Sequence, residues 1–320
     1  MTATGRRPVH AGYVIARDGA IKFRIGRYDH TLPLVIDPAL SYATYLDKSS
    51  LNVAAIAVDG AGSTYVTGTT FSSSYPITPG AFQSTCTTCP SNGPTVFVTK
   101  LNPAGTAQVY STYLGGSAYN QPFGMAVDAN GNAVVVGYTQ STDFPVKNPI
   151  SSGTVSNGTQ FGFMSSLSPD GSTLNYSSLL GGGSQPFQSS TTIANAVAID
   201  ASGNAYVTGT TDSPVFPTTP GALNFGTPQY PASIAFVSKF VPIGTLAYST
   251  LIGNVEPQNG GGGLIGVEAI AVDPQGSAYI TGGAGMLWPT TANAYATQIP
   301  GSSPFRGVFV TKTFSGCVES

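Results

Sequence analysis

One stretch of about sixteen residues returns four times along this chain, and this recurrence restricts the fold more than any other feature of the sequence. Each copy has an apolar run that ends in Asp, a turn that contains Gly, and a second run that returns. Repetition at a steady period indicates an array of one supersecondary unit. The copies are AIAVDGAGSTYVTGTT (55–70), GMAVDANGNAVVVGYT (124–139), AVAIDASGNAYVTGTT (196–211) and AIAVDPQGSAYITGGA (269–284).

Every copy predicts a β-hairpin. The Asp carboxylate can accept backbone N–H groups of its own turn, and the Gly that follows supplies the positive φ that a short hairpin loop requires. The turn therefore explains both residue types without a ligand. The residues concerned are Asp59 and Gly62, Asp128 and Gly131, Asp200 and Gly203, and Asp273 and Gly276.

Two more strands follow each hairpin after a longer loop. Four strands per period is the unit of a β-propeller blade, so the predicted fold is an all-β propeller of four-stranded blades. The third strands are TVFVTKLN (95–102), FGFMSSLS (161–168), IAFVSKFV (234–241) and GVFVTKTF (307–314). The fourth strands are QVYSTYLGG (108–116), LNYSSLLGG (174–182) and LAYSTLIGN (246–254), and no fourth strand follows Phe314.

A candidate for the missing strand precedes the first hairpin. LSYATYLDK (40–48) matches VYSTYLGGS (109–117), and we expect 41–46 to pair with the last blade and close a ring of four. The alternative is an open ring cut from a longer propeller. The predicted domains are a remnant β module at 1–40 and a propeller at 41–320. Its blades cover about 53–117, 123–183, 195–254, and 268–314 with 41–46.

Two further positions recur in the repeats. An aromatic residue followed by Pro, as in YPITPGAF (75–82) and FPTTPGAL (216–223), is most simply a packing plug over the outer core. Third strands carry a lysine at Lys100, Lys239 and Lys312, but Ser166 takes this place in the second repeat. We expect these lysines to pack their stems along the sheet and keep their charged heads in water.

The ordered motifs YSTYLGGS, AIDASGNAYVTGTT, FPTTPGA and VFVTKLNPAG resemble the bacterial β-propeller repeat family abbreviated SBBP, over about residues 41–314. Segment 11–40 is similar to the end of a β-rich domain that commonly precedes such propellers, with a hairpin at Arg17–Gly19. The resemblance implies a secreted or cell-surface bacterial protein with a repeat scaffold. It implies no catalytic residue.

Composition excludes several functions. Only 8% of residues are charged, and half of the 12 Lys and Arg residues precede residue 28, so no basic stripe supports nucleic-acid binding. No apolar run is long enough to span a membrane as a helix. The start MTATGRRPVH has no apolar segment typical of a signal peptide. Either the chain is cytosolic or its front end is missing. The family resemblance favours the second alternative, and it implies an extracellular or cell-surface module of a longer multidomain chain whose secretion signal is outside this sequence.

The sequence contains few residues that could carry out catalysis. The two histidines, His10 and His30, both precede the propeller, which excludes a Ser-His-Asp triad or a His metal site inside the repeats. Acidic residues that break the repeat are Asp143, Asp170, Asp212, Glu256 and Glu268. Glu268 enters the first strand of the last blade, where strands line a propeller channel, and Asn195 holds the matching place in the third blade.

We expect the functional residues at positions that differ between the repeats. The leading hypothesis is a non-enzymatic module that binds a glycan or protein, and its candidate residues are Glu268, Asn195, Glu256, Tyr119, Phe123 and Phe187. One alternative is a polysaccharide hydrolase or lyase that uses Glu268 or Glu256 with a tyrosine. Another is a spacer within a larger adhesin. No catalytic residue and no cofactor is assigned.

Cysteines and oxygen-rich turns leave smaller questions. Cys86 and Cys89 lie in STCTTCPSNG, which lacks a second pair for a zinc site, so a local disulfide is the preferred interpretation over two free thiols. Cys317 is left over. The turn DANGN (128–132) is similar to part of a calcium loop but lacks most of its ligands, so calcium is considered only as a turn-stabilising ion, and no metal site is predicted.

Overall fold

The structure is a computed structural model that describes residues 7, 9–15, 21–34, 41–47, 51–89, 93–150, 159–181, 190–222, 233–253, 264–284, 288–298 and 307–313. These residues form strands β1 to β17 and no helix, so none of them crosses a membrane in helical form. The chain divides into two compact units, Met1–Ser41 and Tyr42–Ser320.

The first unit contains one antiparallel hairpin. Strands β1 (Ala11–Ile15) and β2 (Ile21–Ile25) pair so that Ala11 lies opposite Ile25. The predicted pair of strands is therefore present, while the turn at Arg17–Gly19 lies outside the described residues.

The second unit is a series of antiparallel sheets in which strand order follows chain order. Blade 1 comprises β3 (Leu51–Val58), β4 (Thr64–Thr70), β5 (Thr95–Leu101) and β6 (Gln108–Leu114). Blade 2 comprises β7 (Asn120–Val127), β8 (Ala133–Thr139), β9 (Phe161–Leu167) and β10 (Leu174–Leu180). Blade 3 comprises β11 (Thr192–Ile199), β12 (Ala205–Thr211), β13 (Ile234–Phe240) and β14 (Leu246–Ile252). Blade 4 comprises β15 (Leu264–Val272), β16 (Ala278–Ala284) and β17 (Gly307–Thr313). The all-β prediction with four-stranded blades is confirmed.

The hairpin turns follow the sequence prediction. In blade 1 the Asp59 Oδ1 atom accepts N–H groups of Ala61 and Ser63 at 3.0 and 2.9 Å, and Gly62 has φ 87°. The turns of the other blades repeat this arrangement. Each turn thus satisfies its own backbone donors and fixes the register of the inner hairpin.

Adjacent blades pack face to face through three apolar clusters. Val96 and Val98 of blade 1 join Met125 and Val135 of blade 2 in the first cluster. Equivalent clusters join blade 2 to blade 3 and blade 3 to blade 4. The inner strands β3, β7, β11 and β15 are therefore neighbours in that order, and each seam buries one face of two sheets.

The aromatic residue before each proline is a packing plug, as predicted. It packs on the phenylalanine of the third strand in all four blades, with ring centroids 3.7 to 4.8 Å apart. These contacts cover the outer half of each blade with apolar area. The pairs are Tyr75 with Phe97, Phe144 with Phe163, Phe216 with Phe236, and Trp288 with Phe309.

Ring closure is not seen. Strand β17 is the last strand of the described blade 4, and residues 41–46 form no strand. Tyr42 instead lies against blade 1, where its hydroxyl is 2.7 Å from Thr64 Oγ1, and Leu46 packs against the cluster around Phe97. The pairing of 41–46 with blade 4 stays a prediction.

Candidate ligand-binding surface at the inner strands

Each inner strand contains a β-bulge at the same place. The register shifts between Val53 and Ala55 in β3, and the equivalent shift recurs in β7, β11 and β15. A bulge redirects the extra side chain and is frequent beside functional sites. The extra residues are Ala54, Phe123, Asn195 and Glu268. Three of the predicted site residues therefore occupy equivalent bulge positions on successive blades.

A glycine on the second strand makes each bulge possible. A Cβ on Gly137 would lie 2.0 Å from the Gln121 carbonyl oxygen and 2.7 Å from Pro122 Cα. Only a residue without a side chain fits so close to the neighbouring backbone. The same contact, at 1.9 to 2.1 Å, recurs at Gly68, Gly209 and Gly282. This explains the glycine on the second strand of each repeated hairpin, which sequence reasoning left unassigned.

Aromatic rings form a short row beside the bulge of blade 2. Tyr119 and Tyr138 stack nearly parallel, with centroids 5.7 Å apart and planes at 9°. Phe123 continues the row at 5.9 Å from Tyr138 and is exposed. The Tyr119 hydroxyl donates to Gln121 Oε1 at 3.4 Å. Two of the predicted residues, Tyr119 and Phe123, are thus brought together by Tyr138, which the sequence analysis did not select.

The Asn195 backbone lies against Gly124, the residue that follows Phe123. The Asn195 backbone oxygen is 3.2 Å from the position that a Cβ on Gly124 would take, so the bulges of blades 2 and 3 are in contact. The side-chain Oδ1 atom is buried and has no hydrogen-bond partner among the described residues. A buried acceptor without a partner costs about 1–3 kcal/mol, so a donor from water or a ligand would stabilise it.

The acidic residues that break the repeat differ in their surroundings. Asp143 accepts bonds from the Ser117 N–H and hydroxyl at 2.7 and 2.9 Å, and Asp212 accepts the Thr191 N–H. Asp170 accepts two hydroxyls and a backbone N–H of its own turn, which lower its pKa to about 2. These three carboxylates hold loops in place. Glu268, in contrast, is exposed on the bulge of blade 4.

Several predicted residues cannot be placed. Phe187, Glu256 and Cys317 lie outside the described residues. Cys86 and Cys89 form a disulfide with Cα atoms 5.5 Å apart. The described residues contain no group of three or more His, Cys, Asp and Glu side chains that could hold a metal ion.

A second cluster lies at the turn end of the inner hairpins. In blade 1, Lys100 Nζ is 3.3 Å from Asp59 Oδ2 and 4.7 Å from the centre of the Tyr65 ring. The Tyr65 hydroxyl bonds to Asp59 Oδ2 and to the Gly131 carbonyl oxygen of blade 2, both at 3.1 Å. The cluster therefore joins strands of one blade and also reaches the next blade.

Blades 3 and 4 contain the same cluster. Lys239 pairs with Asp200 and lies over Tyr206, and Lys312 pairs with Asp273 and lies over Tyr279. The prediction of a solvated lysine head was wrong for Lys100 and Lys239, whose side chains are only 11% and 16% exposed. The covariation of Tyr with Lys, both replaced in blade 2 by Val134 and Ser166, was the available signal.

The electrostatics of the cluster are those of a structural contact. Burial, followed by the bond to Asp59, raises the pKa of the Tyr65 phenol far above its ordinary value. Burial alone would raise the pKa of Asp59, but the bonds from Ser63, Tyr65 and Lys100 lower it below its ordinary value. Tyr65 therefore stays protonated and Asp59 stays ionised. In this state Asp59 forms an ion pair with Lys100 and accepts a hydrogen bond from the Tyr65 hydroxyl.

Comparison with known proteins agrees with this geometry. The family model described as a β-propeller repeat, SBBP, matches residues 109–145 and 175–217. These two stretches are SBBP β-propeller repeats. Each begins on the outer strand of one blade, continues through the inner hairpin of the next, and ends at its aromatic–Pro pair. The SBBP unit therefore spans a seam between blades.

Other comparisons add little. No curated protein matches the chain. Among solved structures, the chain is similar to an acylaminoacyl peptidase in complex with Z-Gly-Gly-Phe-chloromethyl ketone, at 9% identity and a TM-score of 0.21. The match covers 72% of this chain and 43% of that chain, so the chain spans less than half the length of the peptidase.

Proposed function

We propose that this SBBP propeller is a non-enzymatic module that binds a glycan on the surface formed by the bulges of blades 2 to 4. The observation that carries the proposal is the row of Tyr119, Tyr138 and Phe123 on the bulge of blade 2. The bulge of blade 3 is in contact with it through the Asn195 backbone, and the Asn195 side-chain oxygen has no partner among the described residues. Ligand sites combine apolar or aromatic faces with a few well-placed polar groups, and this surface has both.

The chemistry suits a sugar ring. One face of a pyranose presents C–H groups that pack on aromatic rings, and its edge presents hydroxyls. An exposed Phe123 ring offers the flat apolar contact. The exposed Glu268 carboxylate is an acceptor for hydroxyl donors, and the buried Asn195 Oδ1 atom is an acceptor whose partner would have to reach it below the surface. A protein ligand would use the same rings, so the test below must separate the two classes.

The proposal includes the cellular location of the module and its position in a longer chain. The Cys86–Cys89 disulfide persists in an oxidising compartment, which supports an extracellular or cell-surface location. In a longer chain the module would present its bulge surface to polysaccharide while other domains act.

The test is binding of the purified chain to a panel of bacterial and plant polysaccharides, with calcium and with chelator, while both retention and released sugar are read. We expect retention without release, and a loss of about tenfold or more in affinity for Phe123→Ala and Tyr119→Ala. Tyr295→Ala is the matched control, because Tyr295 is an exposed aromatic residue of blade 4 outside the bulge surface.

Three outcomes would contradict the proposal. Equal loss of affinity in Tyr295→Ala would remove the aromatic row as the site. Release of sugar that Glu268→Gln abolishes would show the polysaccharide hydrolase or lyase instead. Capture of a protein partner, with no retention on any polysaccharide, would assign the surface to protein recognition.

A further inference from the structure

The two ends of the blade series expose apolar faces that are buried at every internal seam. On blade 4, Val308 and Val310 are 86% and 75% exposed, whereas their counterparts Val96 and Val98 in blade 1 are fully buried against blade 2. Single exposed apolar residues are ordinary, but a face that is buried in every other copy is not.

The other end shows the same contrast. Val53, Ile56 and Val58 lie on one face of β3 and are 61% to 67% exposed. Their counterparts in the later blades are buried or pack against the preceding blade, as Met125 does. Blade 1 thus presents a face built to receive a preceding blade, and blade 4 presents a face built to receive a following one.

A piece of that preceding blade is already in place. The ring of Tyr42 lies over Gly105 in the way that Tyr110 lies over Gly171 and Tyr176 lies over Gly244. In those internal seams the tyrosine belongs to the outer strand of the preceding blade. Segment 42–46 therefore occupies the position of an outer strand for a blade whose other strands are not seen there.

Blade 4 is the complementary partner. Its described sheet lacks an outer strand beyond β17. In blades 1 and 3 a tyrosine hydroxyl donates to a turn carbonyl oxygen of the next blade: Tyr65 to Gly131 and Tyr206 to Gly276. Tyr279 holds the equivalent position in blade 4, where its hydroxyl bonds to Asp273. The first and last inner strands, β3 and β15, do not pack on each other among the described residues as the internal neighbours do.

From these faces we infer that blade 4 of one copy docks against blade 1 of a second copy, with segment 42–46 of the second copy completing the sheet of the first. Two such seams join two chains into a ring of eight blades, which is within the range of known propellers. Each seam is heterologous, and the pair closes by two-fold rotation. This assembly goes beyond the proposed glycan binding and does not depend on it.

The experiment measures the mass of the purified chain by light scattering over a range of concentrations. We expect the wild type to be a dimer. Val308→Asp combined with Val310→Asp should give a monomer, because two carboxylates would enter an apolar seam. Ile56→Asp, on the other face, should also give a monomer. Ile243→Asp is the matched control, since Ile243 is 70% exposed in a turn of blade 3 away from both ends.

Mixing the variants tests whether the blade 4 face docks on the blade 1 face. The Val308→Asp, Val310→Asp chain retains its blade 1 face, and the Ile56→Asp chain retains its blade 4 face. Their mixture should form a dimer through one seam, whereas neither does so alone. Circular dichroism melts of each variant check that it is folded.

A wild-type chain that stays monomeric would overturn the inference, and a small-angle scattering profile of a closed ring for that monomer would assign the faces to closure within one chain. A dimer that survives both face variants would overturn it as well.

Discussion

Blades 1 and 2 build the same Asp turn in different ways. In blade 1 the Asp59 carboxylate meets a cation and a phenol, Lys100 and Tyr65. In blade 2 the Asp128 carboxylate meets Asn132, whose amide donates to Oδ2 at 2.7 Å. Asn175 then donates to Asn132 Oδ1 and to Ser166 Oγ at 2.9 and 3.2 Å.

The comparison distinguishes the interactions that every turn needs from those that differ between blades. Both turns keep the two backbone N–H bonds to the aspartate and the positive-φ glycine. Only the partner of the second carboxylate oxygen changes, from a charged group to a chain of amides. In blade 1 two nearly buried charges, those of Asp59 and Lys100, need partners. In blade 2 only the charge of Asp128 needs partners, and neutral amides provide them.

The largest expected effect tests a feature that both blades share. Gly68→Ala and Gly137→Ala each place a methyl group about 2.0 Å from a backbone oxygen across the bulge. Because backbone must move in both cases, we expect each to lower the free energy of unfolding by about 4 kcal/mol. Urea denaturation measures it. Gly60→Ala, where no atom lies within 4 Å, is the control and should stay near wild type.

The next effect should distinguish the two turns. Asp59→Ala removes the partner of a lysine that is almost buried, and we expect a loss of about 3 kcal/mol. Asp128→Ala leaves only neutral amides unpaired, so about 1.5 kcal/mol is expected. Equal losses in the two denaturation curves would mean that the backbone bonds alone decide the stability of the turn.

Lysine removal tests the added part of the turn. Lys100→Met keeps the packed stem but removes the ion pair and the contact with the Tyr65 ring, for a loss of about 1.5 kcal/mol. Lys312→Met should have a smaller effect, because that side chain is 36% exposed and water screens its charge. Thermal melts compare the two variants. A larger effect at Lys312 would contradict the dependence on burial.

The smallest expected effect is on stability at acidic pH. The Ser277 backbone bond, with contributions from Tyr279 and Lys312, lowers the pKa of Asp273 to about 2, below the value near 3.9 of an unfolded chain. Its stabilisation is therefore complete above about pH 4 and is lost as pH falls towards 2. Asp273→Asn should flatten the melting temperature over this interval. A parallel wild-type and variant profile would show that another group governs acid unfolding.

Much of the fold was open to prediction because it is local. A turn aspartate, its glycine and an apolar strand lie within a few residues of each other, and four copies confirm the pattern. The aromatic–Pro plug was also correct, since a large ring at a constant place in every repeat has few uses other than packing.

The remaining features depend on pairing between distant strands. Tyr65 and Lys100 are opposite each other only because β4 and β5 have that register. A bulge adds one residue to a strand, and hydrophobic periodicity does not show where the ladder shifts. The sequence analysis therefore recognised that Asn195 and Glu268 hold matching places, but not the bulge that they share with Phe123, and it missed Tyr138 altogether.

The offset between repeat and blade has a consequence for how such a protein can change in length. Since one SBBP unit runs from the outer strand of a blade to the aromatic–Pro pair of the next, a duplication or deletion of one whole unit and its connecting segment cuts and rejoins the gene at equivalent points. The number of strands in each remaining blade would be unchanged, and so would both terminal faces. A chain organised in this way can gain or lose a blade by a single in-frame recombination between its own repeats.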